Sequence, residues 1–349
     1  MENIFIINFI FFFITTFTFY FVIYKKNNFF FNFFKNKKCE INIHSRLITQ
    51  NGGIIVISLF LILFLLCTTS NLALFKSTGQ YFRLTEINRA YLIPISILIL
   101  LITSMLDYKF KISPAIRLII HFIVCYISLS LITFPIISIE ILPLKVQFFF
   151  CLVFWIYVIN ATNFIDGIDG MLSICIISFM LNIILAFWLV GFKNTKILYF
   201  SLILLPLLFS FLIFNFPAAK IFMGDSGSIP LGYLMGYMII NLFIEKEYFL
   251  CFVGFLYPLL DVGITIVRKI KNKIYPWARL FDYFFLLPVI KGGLSSVFVL
   301  KRIIFLFFIT SISNFLIITF KINYIFFIPI IFFLNIYYLY LFNNFREKK

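Results

Sequence analysis

Apolar runs alternate with short polar segments along the whole chain. About 20 consecutive apolar residues cross the hydrocarbon layer as a helix. By that measure the pattern predicts spans near 3–24, 53–75, 89–106, 116–137, 146–160, 170–190, 198–214, 228–244, 248–267, 303–320 and 322–343. The fifth run is the shortest. The longest polar connections are 25–52 and 268–302, and no soluble domain fits between the runs. The expected fold is therefore all-α, a single polytopic membrane domain over 1–349 with about eleven transmembrane helices. No internal repeat is visible. The run 4–23 is too long for a signal-peptide core and lacks a small-residue cleavage site, so it is expected to remain as the first span.

Composition agrees. Hydrophobic residues make up 63% of the 349, against about 45–50% in soluble domains. Phe alone supplies 53, which carries no functional weight here. The net charge of +16 changes the picture more, because it is unevenly placed. With the N-terminus outside, the segments 25–52, 107–117, 160–170, 215–226, 268–302 and 344–349 hold 21 of the 29 Lys and Arg residues. The positive-inside rule then puts those segments and the C-terminus in the cytoplasm, and 268–302 becomes a large cytoplasmic loop. Nucleic-acid binding is excluded, since no stacking aromatics accompany a basic stripe outside the apolar runs. The six cysteines show no metal spacing and read as small core residues.

All six aspartates (Asp107, Asp166, Asp169, Asp225, Asp261 and Asp282) fall on that same side, while the opposite side has only glutamates. Topology rules do not require this, and an Asp at the centre of a span costs about 2.5–3.5 kcal/mol. A surface rich in short carboxylates suits a divalent metal and a phosphate substrate. The plain alternative is loop aspartates with no task.

Local spacing favours chemistry. In 160–170, Asn160, Asn163, Asp166 and Asp169 recur every third position, with Gly167 and Gly170 among them. On a helix each such step falls about 60° short of a turn, so the four would fan across half the circumference and line a broad pocket. In 215–230, Gly224 and Gly227 flank Asp225. Ser228 is a candidate N-cap and Pro230 suits a first helical turn. That helix start would offer an anion site, with Asp225 able to hold Mg2+ and Lys220 able to meet phosphate. The third segment, Asp107 followed by Lys111, is weak alone, because interfacial Asp with snorkelling lysines is common.

At these residues the chain resembles the polyprenyl-phosphate N-acetylhexosamine-1-phosphate transferases, glycosyltransferase family 4. The segment 160–170 is similar to the family's NxxNxxDGxDG motif, and 215–232 to its NxPAxxFMGDxGS motif. Asp107 and Lys111 take the first Asp and the Lys of a DDxxK motif. The segment 44–53 weakly resembles an SH…PTPRGGG entry motif, and 258–268, with Asp261, resembles the span before the last large cytoplasmic loop. The resemblance covers roughly 40–300. It implies transfer of a sugar-1-phosphate from a UDP-N-acetylhexosamine to undecaprenyl phosphate at the cytoplasmic face of a bacterial inner membrane. UMP is released, and cell-envelope polysaccharide synthesis begins. It implies Mg2+ on Asp225 with Asn163. Asp107 would be a metal-proximal group or the base. Asn163 and Asp166 would line the catalytic centre, supported by Asn160 and Asn215, and Gly167, Ile168, Asp169 and Phe222 would form the uracil pocket. Either Asp107 or Asp166 is open as the proton acceptor, and a homodimer stays open.

Two departures stand out. Tyr108 replaces the second Asp of the DD pair, and the loop histidines of the family are missing; Arg279 and Asp282 sit near their places. These argue against a pentapeptide-bearing substrate. They also keep alive a catalytically inactive relative acting as a membrane scaffold. A secondary transporter is disfavoured by the one-sided carboxylates and the lack of repeats.

Overall fold

Inside lipid every backbone N–H and C=O must be satisfied within the segment, so an apolar run either coils into a helix or joins a closed barrel. Here the runs coil. The computed structural model describes residues 2–24, 48–69, 91–132, 143–190, 195–252, 254–276 and 282–345. In order these form α1 (Glu2–Tyr24), α2 (Gly52–Thr69), α3 (Leu92–Phe110), α4 (Pro114–Ser130), α5 (Leu144–Ile165), α6 (Met171–Val190) and α7 (Thr195–Asn215). They continue as α8 (Asp225–Ile244), α9 (Tyr248–Phe252), α10 (Leu256–Lys271), α11 (Leu287–Ile290), α12 (Ser296–Phe320) and, after a short 3-10 turn, α13 (Phe327–Asn343). The described residues contain no sheet, only an isolated parallel bridge between Thr49 and Ile221. The protein is an all-α polytopic membrane protein. Among the described residues, seven helices are long and apolar enough to cross a membrane, and Phe9–Ile23, Gly52–Leu66 and Pro114–Ser130 are shorter apolar helices.

α8 is the axis of the bundle. Its residues are buried almost without a break from Ser226 to Ile240, and it packs most extensively against α5, then α3 and α2. Trp155 of α5 stacks on Tyr233 at 5.0 Å and donates its Nε1–H to the Tyr233 carbonyl at 2.8 Å. The Tyr233 hydroxyl meets Ser128 of α4 at 2.6 Å. Cys125, Cys151, Cys175 and Cys251 are free and buried, as small core residues would be.

Three boundaries differ from the pattern. α5 runs on to Ile165, past the expected end at 160. Its polar residues do not stop it, because Asn160 Nδ2 and Thr162 Oγ1 donate back to the carbonyls of Ile156 and Val158. α8 begins at Asp225 with Gly224 at its cap, so Ser228 is inside the helix instead of capping it. The span expected over 248–267 is divided at Gly254, whose φ of +78° ends α9. α10 then turns a polar face inward: Asp261, Thr265 and Lys269 are buried while Val267 and Ile270 are exposed.

Candidate active site

Asp107 lies in the last turn of α3, and Lys111, at φ 51°, closes that helix with its N–H on the Asp107 carbonyl. Ser113 then caps α4 and Pro114 opens it. This tight reversal sets Arg117, in the first turn of α4, back toward Asp107. Arg117 Nη1 reaches Asp107 Oδ2 at 3.1 Å and Asp225 Oδ2 at 3.3 Å. One guanidinium thus ties together two carboxylates 118 positions apart in sequence by their numbers. Charge-assisted bonds of this kind are the stronger ones. Arg117 was not singled out by the sequence. Its one signal there is a lone Arg at the head of an apolar helix.

The end of α5 meets the start of α8 at the same place. Ser228 Oγ donates to Asn163 Oδ1 at 2.8 Å and also approaches the Gly224 carbonyl at 3.2 Å. Asp166 follows α5 as its C-cap residue. Burial pushes its carboxyl well above the usual carboxylate range, the neighbouring Asp225 carboxylate adds to this, a hydrogen bond from the Gly224 backbone offsets part of it, and Asp169 raises it further. Gly224 has a φ of +69°, which an L side chain rarely adopts.

The expected fan of four around one helix is not formed, because the helix ends at Ile165, Asp166 is its C-cap and Asp169 lies beyond it. Asp169 folds away, buried, and its Oδ2 accepts from Ala219 N at 3.1 Å. Asn215 answers from the other motif, accepting from Gly170 N and donating to the Ile221 carbonyl, both at 2.8 Å. The first two of these bonds stitch 166–170 to 215–221, and the third braces 215–221 itself. The start of α2 adds a third thread. Gly52 N and Gly53 N donate to the carbonyls of Phe222 and Met223, each at 2.9 Å, and Gly53 packs so close on Gly227 that a Cβ there would overlap its backbone.

A fourth element closes the side. Asp261 of α10 accepts from Phe284 N at 2.9 Å, Phe285 N at 3.0 Å and the Tyr257 hydroxyl at 2.9 Å. Lys269, buried, pairs with Asp282 at 3.2 Å. The anchored stretch stacks Tyr283 on Phe164 at 5.6 Å and brings Phe285 beside Gly167. Arg279 and residues 44–47 lie outside the described residues.

The structure therefore gathers Asp107, Asp166, Asp225, Asn163 and Arg117 at one end of the bundle, with Asp169 and Asn215 as ties beneath them. Gly167 is exposed and Ile168 buried next to that centre, and Phe222 is partly buried in the tied strand-like segment. The Asn160 amide is turned back along α5. Lys111 and Lys220 are exposed at the rim.

No group of three or more His, Cys, Asp or Glu side chains converges to hold a metal among the described residues. Mg2+ takes oxygen ligands, keeps several waters and uses one or two carboxylates plus substrate phosphates. The donor set is oxygen-only: Asp225 and Asp166, with a second lone pair left on Asn163 Oδ1.

The family model described as Glycosyl transferase family 4 matches residues 90–243. The match spans less than half of the 349-residue chain. It contains Asp107, Arg117, both long motifs and their ties; the Gly52–Gly53 thread and the Asp261 anchor lie outside it. Curated relatives named phospho-N-acetylmuramoyl-pentapeptide-transferase align with the chain. The one from Staphylococcus saprophyticus is 32% identical over 156 residues, 43% of this chain and 47% of the relative. Those from Staphylococcus carnosus and Clostridium beijerinckii are each 36% identical, over 118 and 119 residues, 33% and 34% of this chain and 35% of each relative. The chain thus spans less than half the length of each of these relatives in the matched stretch.

Proposed function

We propose that this chain transfers a sugar-1-phosphate, of the N-acetylhexosamine-1-phosphate class, from a UDP-sugar to undecaprenyl phosphate and releases UMP. The observation that carries this reading is the meeting of Asp107 and Asp225 on Arg117, with Asp166 beside Asp225, at one end of an apolar bundle. A lipid phosphate has its headgroup at that level and its tail beside exposed apolar residues such as Phe110, Ile116 and Ile119. The positive-inside bias makes this end the cytoplasmic face of a bacterial inner membrane, with the N-terminus outside and the C-terminus inside.

Phosphoryl transfer asks little covalent chemistry of a protein and much positioning and charge neutralisation. A lipid phosphate oxygen attacks the phosphorus that bears the sugar, the bond to the bridging oxygen breaks, and UMP leaves with it. Mg2+ held by Asp225 and Asn163 would neutralise the pyrophosphate. Arg117 presents a planar donor set suited to phosphate oxygens. Asp107 and Asp166 are the two carboxylates that can take the proton of the lipid phosphate, singly or as a coupled pair. Gly167, Ile168 and Phe222 border the place for the nucleobase, and Lys111 and Lys220 stand at the rim for phosphate. Tyr108 in place of a second carboxylate favours a second reading, an inactive scaffold of the same fold.

The test is UMP release by the detergent-purified full chain with undecaprenyl phosphate and a panel of UDP-N-acetylhexosamines, with Mg2+ and with EDTA. Metal- and lipid-dependent UMP is expected, and the preferred donor identifies the sugar. Asp225→Asn is expected to stay folded and inserted and to lose activity by at least about a hundredfold. Full activity in that variant removes the metal assignment. No UMP from any donor favours the scaffold.

A further inference from the structure

His121 lies one turn beyond Arg117 on α4, at the i+4 position, so the two share a face. It is only 5% exposed, and its Nδ1 has no hydrogen-bond partner among the described residues. A cavity of about 10 Å3 sits there, lined by Thr103, Ser104, Arg117, Ile120, His121 and Ile229. That is room for about one water. Thr103 and Ser104 stand a turn before Asp107, and Ile229 a turn after Asp225. The cavity is thus bounded by the same three helices that carry the Asp107–Arg117–Asp225 bridge. Both bonds of the bridge leave from Nη1, and a guanidinium has five N–H groups, so three remain. The Thr103 and Ser104 hydroxyls donate to the Leu100 carbonyl at 3.0 and 2.7 Å, which leaves their lone pairs as acceptors in the cavity.

We propose that His121 is a positioning residue for Arg117, acting through one water in this cavity that links Nδ1 to the guanidinium. The two carboxylates hold Nη1, and the water fixes the remaining rotation. Without it the bridge still forms but the guanidinium swings, and the phosphate it meets is less well placed. The kinetic part of this inference rests on the transferase reading, while the structural part does not.

The test uses the purified full chain and His121→Leu, His121→Gln and His121→Asn. The Asn amide reaches the Nδ1 position; the Gln amide reaches Nε2 instead. The first readout is the phenylglyoxal labelling rate of Arg117, followed by mass spectrometry without substrates. Several-fold faster labelling is expected in the Leu and Gln variants, with the Asn variant near wild type. The second readout is UMP release, where kcat should fall about tenfold in the Leu variant with KM for the UDP-sugar unchanged, and recover in the Asn variant. A purely packing role would lower thermal stability and leave Arg117 labelling in the folded protein untouched. Wild-type labelling in the Gln variant, or in a folded Leu variant, overturns the proposal. If wild type releases no UMP from any donor, the transferase reading fails and the labelling still decides for or against His121.

Discussion

Asp166 sits against Asp225 with Asp169 nearby, and that crowding has a consequence for stability. Its carboxyl titrates well above the usual range because burial and a like charge oppose ionisation. The folded protein therefore holds the proton more tightly than the unfolded chain does. The stabilising contribution is complete below about pH 4 and is lost as pH rises through the raised folded value. Asp166→Asn removes the repulsion. In EDTA its thermal midpoint is expected above that of wild type at about pH 8, with the gap closing toward about pH 4. A gap that does not change with pH would contradict this account. The same substitution is expected to abolish UMP release. At this scale the sequence named Asp107, Asn163, Asp166 and Asp225 from residue type and spacing. It was silent on Arg117 and His121, because a lone Arg and a lone His in an apolar helix look like interfacial and packing residues until their neighbours are placed.

Among the helices, the close approach of α5 and α8 decides whether Asp166 and Asp225 meet. A Cβ at Gly232 would lie 2.8 Å from Ile159 Cα and 2.9 Å from Thr162 Cβ, so Gly232→Ala must push the two helices apart. The expected cost is about 1–3 kcal/mol from overpacking, read as a lower thermal midpoint, with activity falling further than the midpoint alone explains. An unchanged midpoint would mean that the contact yields more easily than its backbone partner suggests. Helix existence was legible in the chain for every long apolar run. Helix ends were not. α5 passes through Asn160 and Asn163 because Asn160 and Thr162 bond back along it, α8 starts at Asp225, and Gly254 splits the ninth run. Periodicity reports which face is apolar, while an end depends on where the freed backbone groups find partners.

For the whole molecule, the charge bias and the position of the site at one end make a single prediction. With cysteine-free background chains, Lys220→Cys is expected to react with a membrane-impermeant maleimide in inside-out vesicles and not in intact cells stripped of their outer layers. Labelling from the outside would reverse the proposed topology and place the carboxylates on the wrong side for a UDP-sugar. Lys220 is exposed beside the Asn215 tie, so a cysteine there is reachable while the centre is left in place.

The sequence by itself determined that the chain is helical and membrane-embedded, and that two long polar motifs and Asp107 belong to one surface. Those properties are local: the length of an apolar run, the sign of a loop, the spacing of carboxylates. Only the tertiary structure decided that Arg117 joins Asp107 to Asp225, that Asp169 and Asn215 serve as ties between motifs, and that Asp261 anchors the 282–287 stretch beside Gly167. Each of those partners is distant along the chain, and a contact between distant residues is set by how helices pack, which no window of sequence contains.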